Sequence, residues 1–485
     1  MKIKHLAPKA AVALLLLTGL TNAQGPDIVV HQVGVDGGNS NDIRYWGTAN
    51  GIRAYSIATQ SCNIGNQTVI WQSNNTNHPV ISQEMYRLKN GRFEQIGQSW
   101  LKHGFCAVSE PGCGSCQSTP CSSLGIGCAD TYWASLNDGR SGAPKWEQSP
   151  ASGQITYPYS SPSGTNAIRG RLQVHEEDID PSQNAGAEYF ISSVYISEHD
   201  HENGNAANNS SWRKLNVVSI TNIDGGGPTN VGMSPPYAWR SEDPSVVVSK
   251  VTNVNEAGPS INGYYFVGHN VQTNSDGSFT YNYVVYNLNS TQGCGDFSVP
   301  INPNAQLTDI YFNDVDYHSG ELQSNTDWTH SIASGEIRWE CTETYAQNPN
   351  GNAIRWGTMY SFGFTTASAP QDVTATLGMF EPGISTEAAN AKIEDWLQPP
   401  GHEIGDDVAD NRLVVRIRVN ERTGPDGERI LFIEEMQGDR QQEGGPASHK
   451  EHQETCSWWR ERLIHLLDQQ RIEDAKALRS EFAIK

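Results

Sequence analysis

The chain has 485 residues and a formal charge of −21, with 36% hydrophobic and 18% charged residues. Acidic groups run along its whole length, which argues against nucleic acid and anionic membrane surfaces as partners, because both need a positive face. The length exceeds what one core usually organises, so two or three domains are expected.

Lys2, Lys4 and Lys9 precede an uncharged apolar run, Ala10 to Leu20, and then Thr21-Asn22-Ala23. This order reads as a secretory signal over residues 1–23, cleaved after Ala23. The rival, a membrane anchor, meets a run shorter than the ~20 residues a spanning helix needs. No second such run follows, so no membrane span is expected in the mature chain and its place is secreted, extracellular or periplasmic. Export permits disulfides, and the first eight cysteines are candidates: Cys62, Cys106, Cys113, Cys116, Cys121, Cys128, Cys294 and Cys341. Five fall within 106–128, which suits a stapled loop. With Cys62 they allow three bridges, Cys294 and Cys341 supply a fourth, and Cys456 is left odd. A zinc knuckle on Cys113-Gly-Ser-Cys116 is the alternative.

The fold class read from the pattern is mainly β: β-sandwich domains, including an Ig-like C-terminal sandwich, plus a small charged α+β tail. Residues 24–250 form the first β-rich domain, which holds the stapled loop. Within it Asn90-Gly91, between Met85–Leu88 and Arg92–Ile96, predicts a type I′ hairpin. Ile168, Leu172 and Val174 alternate with Arg169, Arg171, Gln173 and His175, as in a half-buried strand, and 189–196 reads as another. Residues 251–390 show about seven short strands separated by turns, Asp276-Gly277 among them, which is the spacing of an Ig-like sandwich. After Gln398-Pro-Pro-Gly401 the composition shifts, with 31 charged residues in 401–485. That tail predicts strands at 413–419 and 429–434 and an amphipathic helix within 448–485.

Several phrases resemble an uncharacterised group of secreted bacterial proteins. They are Ser61-Cys-Asn-Ile-Gly65, His78-Pro-Val-Ile81, Gly91-Arg-Phe-Glu-Gln-Ile-Gly97 with Trp100-Leu-Lys-His-Gly-Phe105, Leu124-Gly-Ile-Gly-Cys-Ala-Asp130 and Asp314-Val-Asp-Tyr-His-Ser-Gly320. The resemblance covers residues 27–385; it implies export and a β fold and carries no activity. Asn420-Glu-Arg-Thr-Gly-Pro-Asp-Gly427 and Leu431-Phe-Ile-Glu-Glu-Met-Gln-Gly438 are similar to a segment of large polyvalent proteins of phages and plasmids. Those act inside cells, so this resemblance implies a tail foreign to an exported body.

Nucleophile elbows, Walker loops and His-Glu-x-x-His pairs are missing from the sequence. Glu198-His-Asp-His-Glu202, if a strand, places His199 and His201 on one side as ligands of a transition metal, with His175 or His318 as the third; as a loop it is only solvated. Asp178, Asp180 and Asn184 offer hard oxygens to Ca2+, or form an ordinary turn. Glu176 and Asp178 sharing a strand face read as a glycosidase pair, or as a solvent-facing strand end. Trp71, Trp100, Trp133, Trp212, Trp239, Trp328, Trp339 and Trp356 are mostly core, with a few left to build a binding face. The combined expectation is an extracellular protein that binds a polysaccharide, a matrix component or a cell-surface protein. A secreted glycan-active or metal-dependent hydrolase is the alternative.

Overall fold

The computed structural model describes residues 25–35, 42–160, 164–253, 256 and 262–382, together with the strands Asn390–Glu394, Leu413–Thr423 and Arg429–Gly438. Its main body is a stack of four sheets. Sheet I pairs Ile28–Val33, Thr59–Asn63, Cys128–Tyr132 and Glu110–Pro111. Sheet II has nine strands, running from Asn222–Asn230 through Ser210–Ser219, Glu188–Ile196, Val80–Lys89, Arg92–Gln98, Leu172–His175 and Ile52–Ile57 to the edge strand Ile43–Ala49; Lys102–His103 pairs beside Val80–Lys89. Sheet III orders Val247–Asn253, Gly263–Thr273, Phe279–Asn287, Thr358–Thr366 and Leu307–Asn313. Sheet IV begins Thr329–Ala333, Glu336–Glu340, Cys294–Pro300 and Thr374–Met379. The protein is therefore mostly β, with antiparallel pairing throughout the body.

Three cores separate the four sheets. Ile28, Val30 and Tyr132 of sheet I meet Tyr55, Met85 and Ile191 of sheet II. Phe93, Phe190 and Trp212, on the other face of sheet II, meet Phe266, Val284 and Met359 of sheet III, with Trp239 between them. Tyr265, Val285 and Phe362, on the far face of sheet III, meet Phe297, Trp339 and Leu377 of sheet IV. Strand side chains alternate faces, so a strand such as 263–273 must be apolar at successive positions, because both its faces are covered. The sequence Tyr264-Tyr-Phe-Val267 supplies that.

The Asn90-Gly91 hairpin forms as expected, with φ of 53° and 79°, the pair of positive angles that a type I′ turn requires. Sheets III and IV face each other across an aromatic core within the expected sandwich region. The expected boundary at 250 falls inside the strand Val247–Asn253, whose Val248 belongs to the core shared with sheet II. In the tail, Leu413–Thr423 and Arg429–Gly438 pair antiparallel, and Leu413–Thr423 runs parallel to Asn390–Glu394. The expected signal over residues 1–23, the amphipathic helix within 448–485 and Cys456 lie outside the described residues. No helix among those described is long and apolar enough to cross a membrane.

Candidate binding face

Among the described residues the cysteines resolve into two bridges and four thiols. Cys62 bonds Cys113 and Cys116 bonds Cys128. Zinc at Cys113 and Cys116 is thereby set aside, since each thiolate is consumed in a different bond. Cys106 and Cys121 are exposed neighbouring thiols; the hydrogen bond between them raises the Cys106 thiol above its usual range. Cys294 and Cys341, expected to pair, are separate thiols. Cys294 opens a strand of sheet IV, where its Sγ donates to the Asp296 carbonyl at 3.1 Å, and Cys341 follows the strand Glu336–Glu340 and lies beside Gly351.

The predicted metal ligands do not converge. Glu198–Glu202 is one helical turn rather than a strand, and residues two apart on a helix point about 200° apart. His199 Nδ1 accepts the Ile70 N–H at 3.4 Å. His201 instead enters the interior, with Nδ1 on the Ser197 carbonyl at 2.8 Å and Nε2 beside Asn289, and burial lowers it to about 4. Between them Asp200 accepts from Ile28 N–H and Asn209 Nδ2, at 2.9 and 2.7 Å. The segment is a clasp joining sheet I to the ends of sheets II and III. His175 pairs with Asp316 at 2.8 Å. His318 is buried against Trp100, 4.5 Å between rings, and burial lowers it to about 3.

The acidic run is likewise dispersed. Glu176–Ile179 forms a helical turn. Glu176 pairs with Arg53 and Asp178 with Arg87, each at 3.0 Å, so each carboxylate of the expected glycosidase pair is held by its own arginine. Asp180 Oδ1 accepts the Ser182 N–H at 2.9 Å. Asn184 directs its amide nitrogen, not its oxygen, at the carbonyls of Glu177, Asp178 and Asp180. This is the closed turn of the alternative reading, with an amide where calcium would need oxygen ligands to face inward. Among the described residues, no three His, Cys, Asp or Glu side chains are gathered to hold a metal ion.

What the fold does bring together is a cationic and aromatic strip at the edge of sheet II. Seven of the eight tryptophans named above are buried, and Trp133 is 41% exposed. The strip starts with a bulge: Tyr45 opposes Tyr55 and Gly47 opposes Ala54, which leaves Trp46 as the extra residue of the edge strand. Arg44 opposes Ser56, and Trp46 Nε1 donates to Ser56 Oγ at 2.8 Å. Both side chains therefore lie on the face of sheet II away from sheet I. Arg171 joins them, because Leu172 faces the core and its neighbour faces the other way. The Arg44 and Arg171 guanidinium carbons stand 3.9 and 4.0 Å from the Trp46 centroid.

Loop 133–140 walls this strip. Ser56 Oγ donates to the Ala134 carbonyl at 2.6 Å, and Asn137 Nδ2 donates to the Ile57 carbonyl at 2.8 Å. Gly139 has φ of +65° and passes so near the Gly170 carbonyl that a Cβ would lie 2.2 Å from that oxygen. These anchors hold Trp133, Leu136 and Arg140 on the outside. Arg171 donates to the carbonyls of Asn166 and Ala167 and to Asp138 at 3.2 Å. Burial lowers its guanidinium, Asp138 opposes that, and Arg140 and Arg44 add to the lowering. The same Asp138, with Asp130, acts on Lys102, which burial brings down to about 8. Lys102 Nζ lies 4.2 Å from the Tyr132 ring and 5.0 Å from Phe105, itself 48% exposed.

Neither Arg44 nor Trp46 stands out in the sequence. The available signal was Arg44-Tyr-Trp-Gly47, since glycine inside an aromatic strand marks bulges.

No family model matches the chain, and no curated protein matches it. Solved structures give weak overlays. The exo-chitosanase CsxA of Amycolatopsis orientalis aligns at 8% identity over 73% of this chain and 26% of its own, with a TM-score of 0.15. The N-terminal domain of a Streptococcus gordonii adhesin aligns at 9% identity over 70% of this chain and 61% of its own, TM-score 0.16. The C-terminal domain of the Streptococcus pyogenes antigen I/II-family protein AspA aligns at 12% identity over 77% and 99%, TM-score 0.18. The chain thus spans about a quarter of the length of the chitosanase. Overlays this weak leave the fold and the site to be read from the chain itself.

Proposed function

We propose that this chain is an exported binding protein that holds a polysaccharide at or outside the cell surface through the strip running from Arg44 to Phe105. The observation that carries the reading is the exposed Trp133, on a loop tied through Ala134 to the same Ser56 hydroxyl that receives Trp46 Nε1, with Trp46 itself fixed by two guanidinium groups. Sugars are recognised by flat aromatic faces with hydrogen-bond donors at their rims, and a rigid scaffold lowers the entropy lost on binding. The two disulfides accord with export. The residues named for a hydrolase are each engaged by a separate partner and lend that alternative little.

A glycan array probed with the mature chain and with Trp133→Ala tests the proposal. Retention of at least one glycan, weakened in the variant, is the expected result. Retention unaffected by Trp133→Ala would move the site elsewhere, and a blank array would remove the glycan reading.

A further inference from the structure

We infer that the strip selects an anionic polysaccharide, whose carboxylate or sulfate groups sit between Arg44 and Arg140; the inference rests on the glycan reading above. A chain with a formal charge of −21 should present carboxylates almost everywhere, yet this strip presents Arg44 and Arg140, with Arg171 buried behind them and Asp138 beside it. Asp138 is already engaged by Arg171 at 3.2 Å. Among the described residues, neither Arg44 nor Arg140 has a carboxylate partner, although acidic groups outnumber basic ones along the chain by 54 to 33.

The geometry of Arg44 is the second ground. Its guanidinium lies over Trp46 at 3.9 Å, which covers one flat face and leaves the in-plane N–H groups free. A stacked guanidinium keeps its planar fork for a carboxylate or sulfate, and stacking fixes the direction in which the fork points. Arg140 makes one long side-chain bond, to Asn166 Oδ1 at 3.4 Å, and is otherwise exposed. Arg44 and Arg140 are both near enough to disturb Arg171. The free protein therefore holds Arg44, Arg140 and Arg171 in mutual repulsion, and an anion on the two exposed guanidinium groups relieves it. Trp133, on the loop that carries Arg140, and Phe105, beside Lys102, are exposed and offer ring faces to the sugar rings that carry the charge. Net charge argues against phosphate polymers, whereas this local field favours polyanions. The sugar is distinguished from nucleic acid by the test.

The test measures binding of the mature chain to polygalacturonate, chondroitin sulfate, neutral xylan and single-stranded DNA, at low and at physiological salt. It is repeated for R44Q, R140Q and R44K, after far-UV circular dichroism and thermal unfolding have shown each variant folded. The inference expects an acidic polysaccharide to bind best and to weaken as salt rises. R44Q and R140Q should each lose about tenfold or more, the size of one charge-assisted hydrogen bond. R44K should recover only part of the loss, because an ammonium lacks the fork. Acidic polysaccharide binding unchanged by both glutamine variants would overturn the inference. So would xylan binding as tightly as the acidic polymers, although the glycan reading would then stand. DNA binding tighter than both would overturn it as well, and binding of none of the probes would remove both readings.

Discussion

Truncating Phe93 tests whether the stacked sheets unfold as one body or as two units that meet near residue 250. Its side chain is fully buried in the core between sheets II and III. It stacks on Tyr86 at 5.5 Å, meets Phe190 edge-on at 5.7 Å and lies parallel to Trp239 at 6.4 Å. Phe93→Ala removes the ring from a site that neighbouring strands prevent from collapsing, a change that costs about 3–5 kcal/mol. At roughly 2 °C per kcal/mol for a chain of this size, Tm should fall by about 6–10 °C. Sheets II and III each have both faces inside cores, so the loss should reach every layer. Denaturant unfolding followed by tryptophan fluorescence reads all three cores: Trp71 lies between sheets I and II, Trp212 and Trp239 between II and III, and Trp328 and Trp339 between III and IV. One transition moving as a whole is the expected outcome. Two transitions, of which only one moves, would refute the single-body reasoning and support the expected boundary near 250.

The two bridges close loops of different length, with separations of 51 and 12 residues, so on the loop-entropy model Cys62→Ser should cost about 4 kcal/mol and Cys116→Ser about 3; denaturant midpoints with an unchanged m-value check the order. Burial lowers His201 from 6.5 to about 4. Its stabilising neutral form is therefore fully present above pH 6.5 and lost as pH falls toward 4, and His201→Gln should flatten the acid limb of stability by up to an order of 3 kcal/mol. Glu256 has the opposite sign, since burial raises it from 4.5 to about 7. Its contribution is complete below pH 4.5 and lost as pH rises through 7, so Glu256→Gln should improve Tm relative to wild type only on the alkaline side. Gly139→Ala forces a Cβ against the Gly170 carbonyl at positive φ. It should cost at least about 1 kcal/mol and weaken polysaccharide binding, as thermal unfolding and a binding isotherm would show, because the same loop carries Trp133 and Arg140.

The parts of the fold legible in the sequence are those set by local rules. Asn90-Gly91 announces its turn through backbone angles, and Leu172 and Val174 announce a strand through period-two alternation. The layering was not legible. A strand covered on both faces, such as Tyr264–Val267, looks in isolation like any apolar run, and only the third dimension shows which sheet covers it. Glu198-His-Asp-His-Glu202 misled because two residues apart means one side on a strand and opposite sides on a helical turn, and so short a segment does not declare its period. The strip on sheet II was hidden for a related reason. Arg44, Lys102, Arg140 and Arg171 come from four separate segments, and the bulge that turns Trp46 toward them depends on the register of Ile43–Ala49 against Ile52–Ile57. Alternation did place Arg171 away from the core, but nothing local brings it to Trp46.

The central claim is that the strip at the edge of sheet II binds polysaccharide, and amide hydrogen exchange on the mature chain tests it most directly. With the polymer that it retains best, exchange should slow within residues 43–49 and 132–140 and hold steady in the strands of sheet IV. Slowing confined to residues outside the strip, with 43–49 and 132–140 unchanged under saturating polymer, would contradict the account.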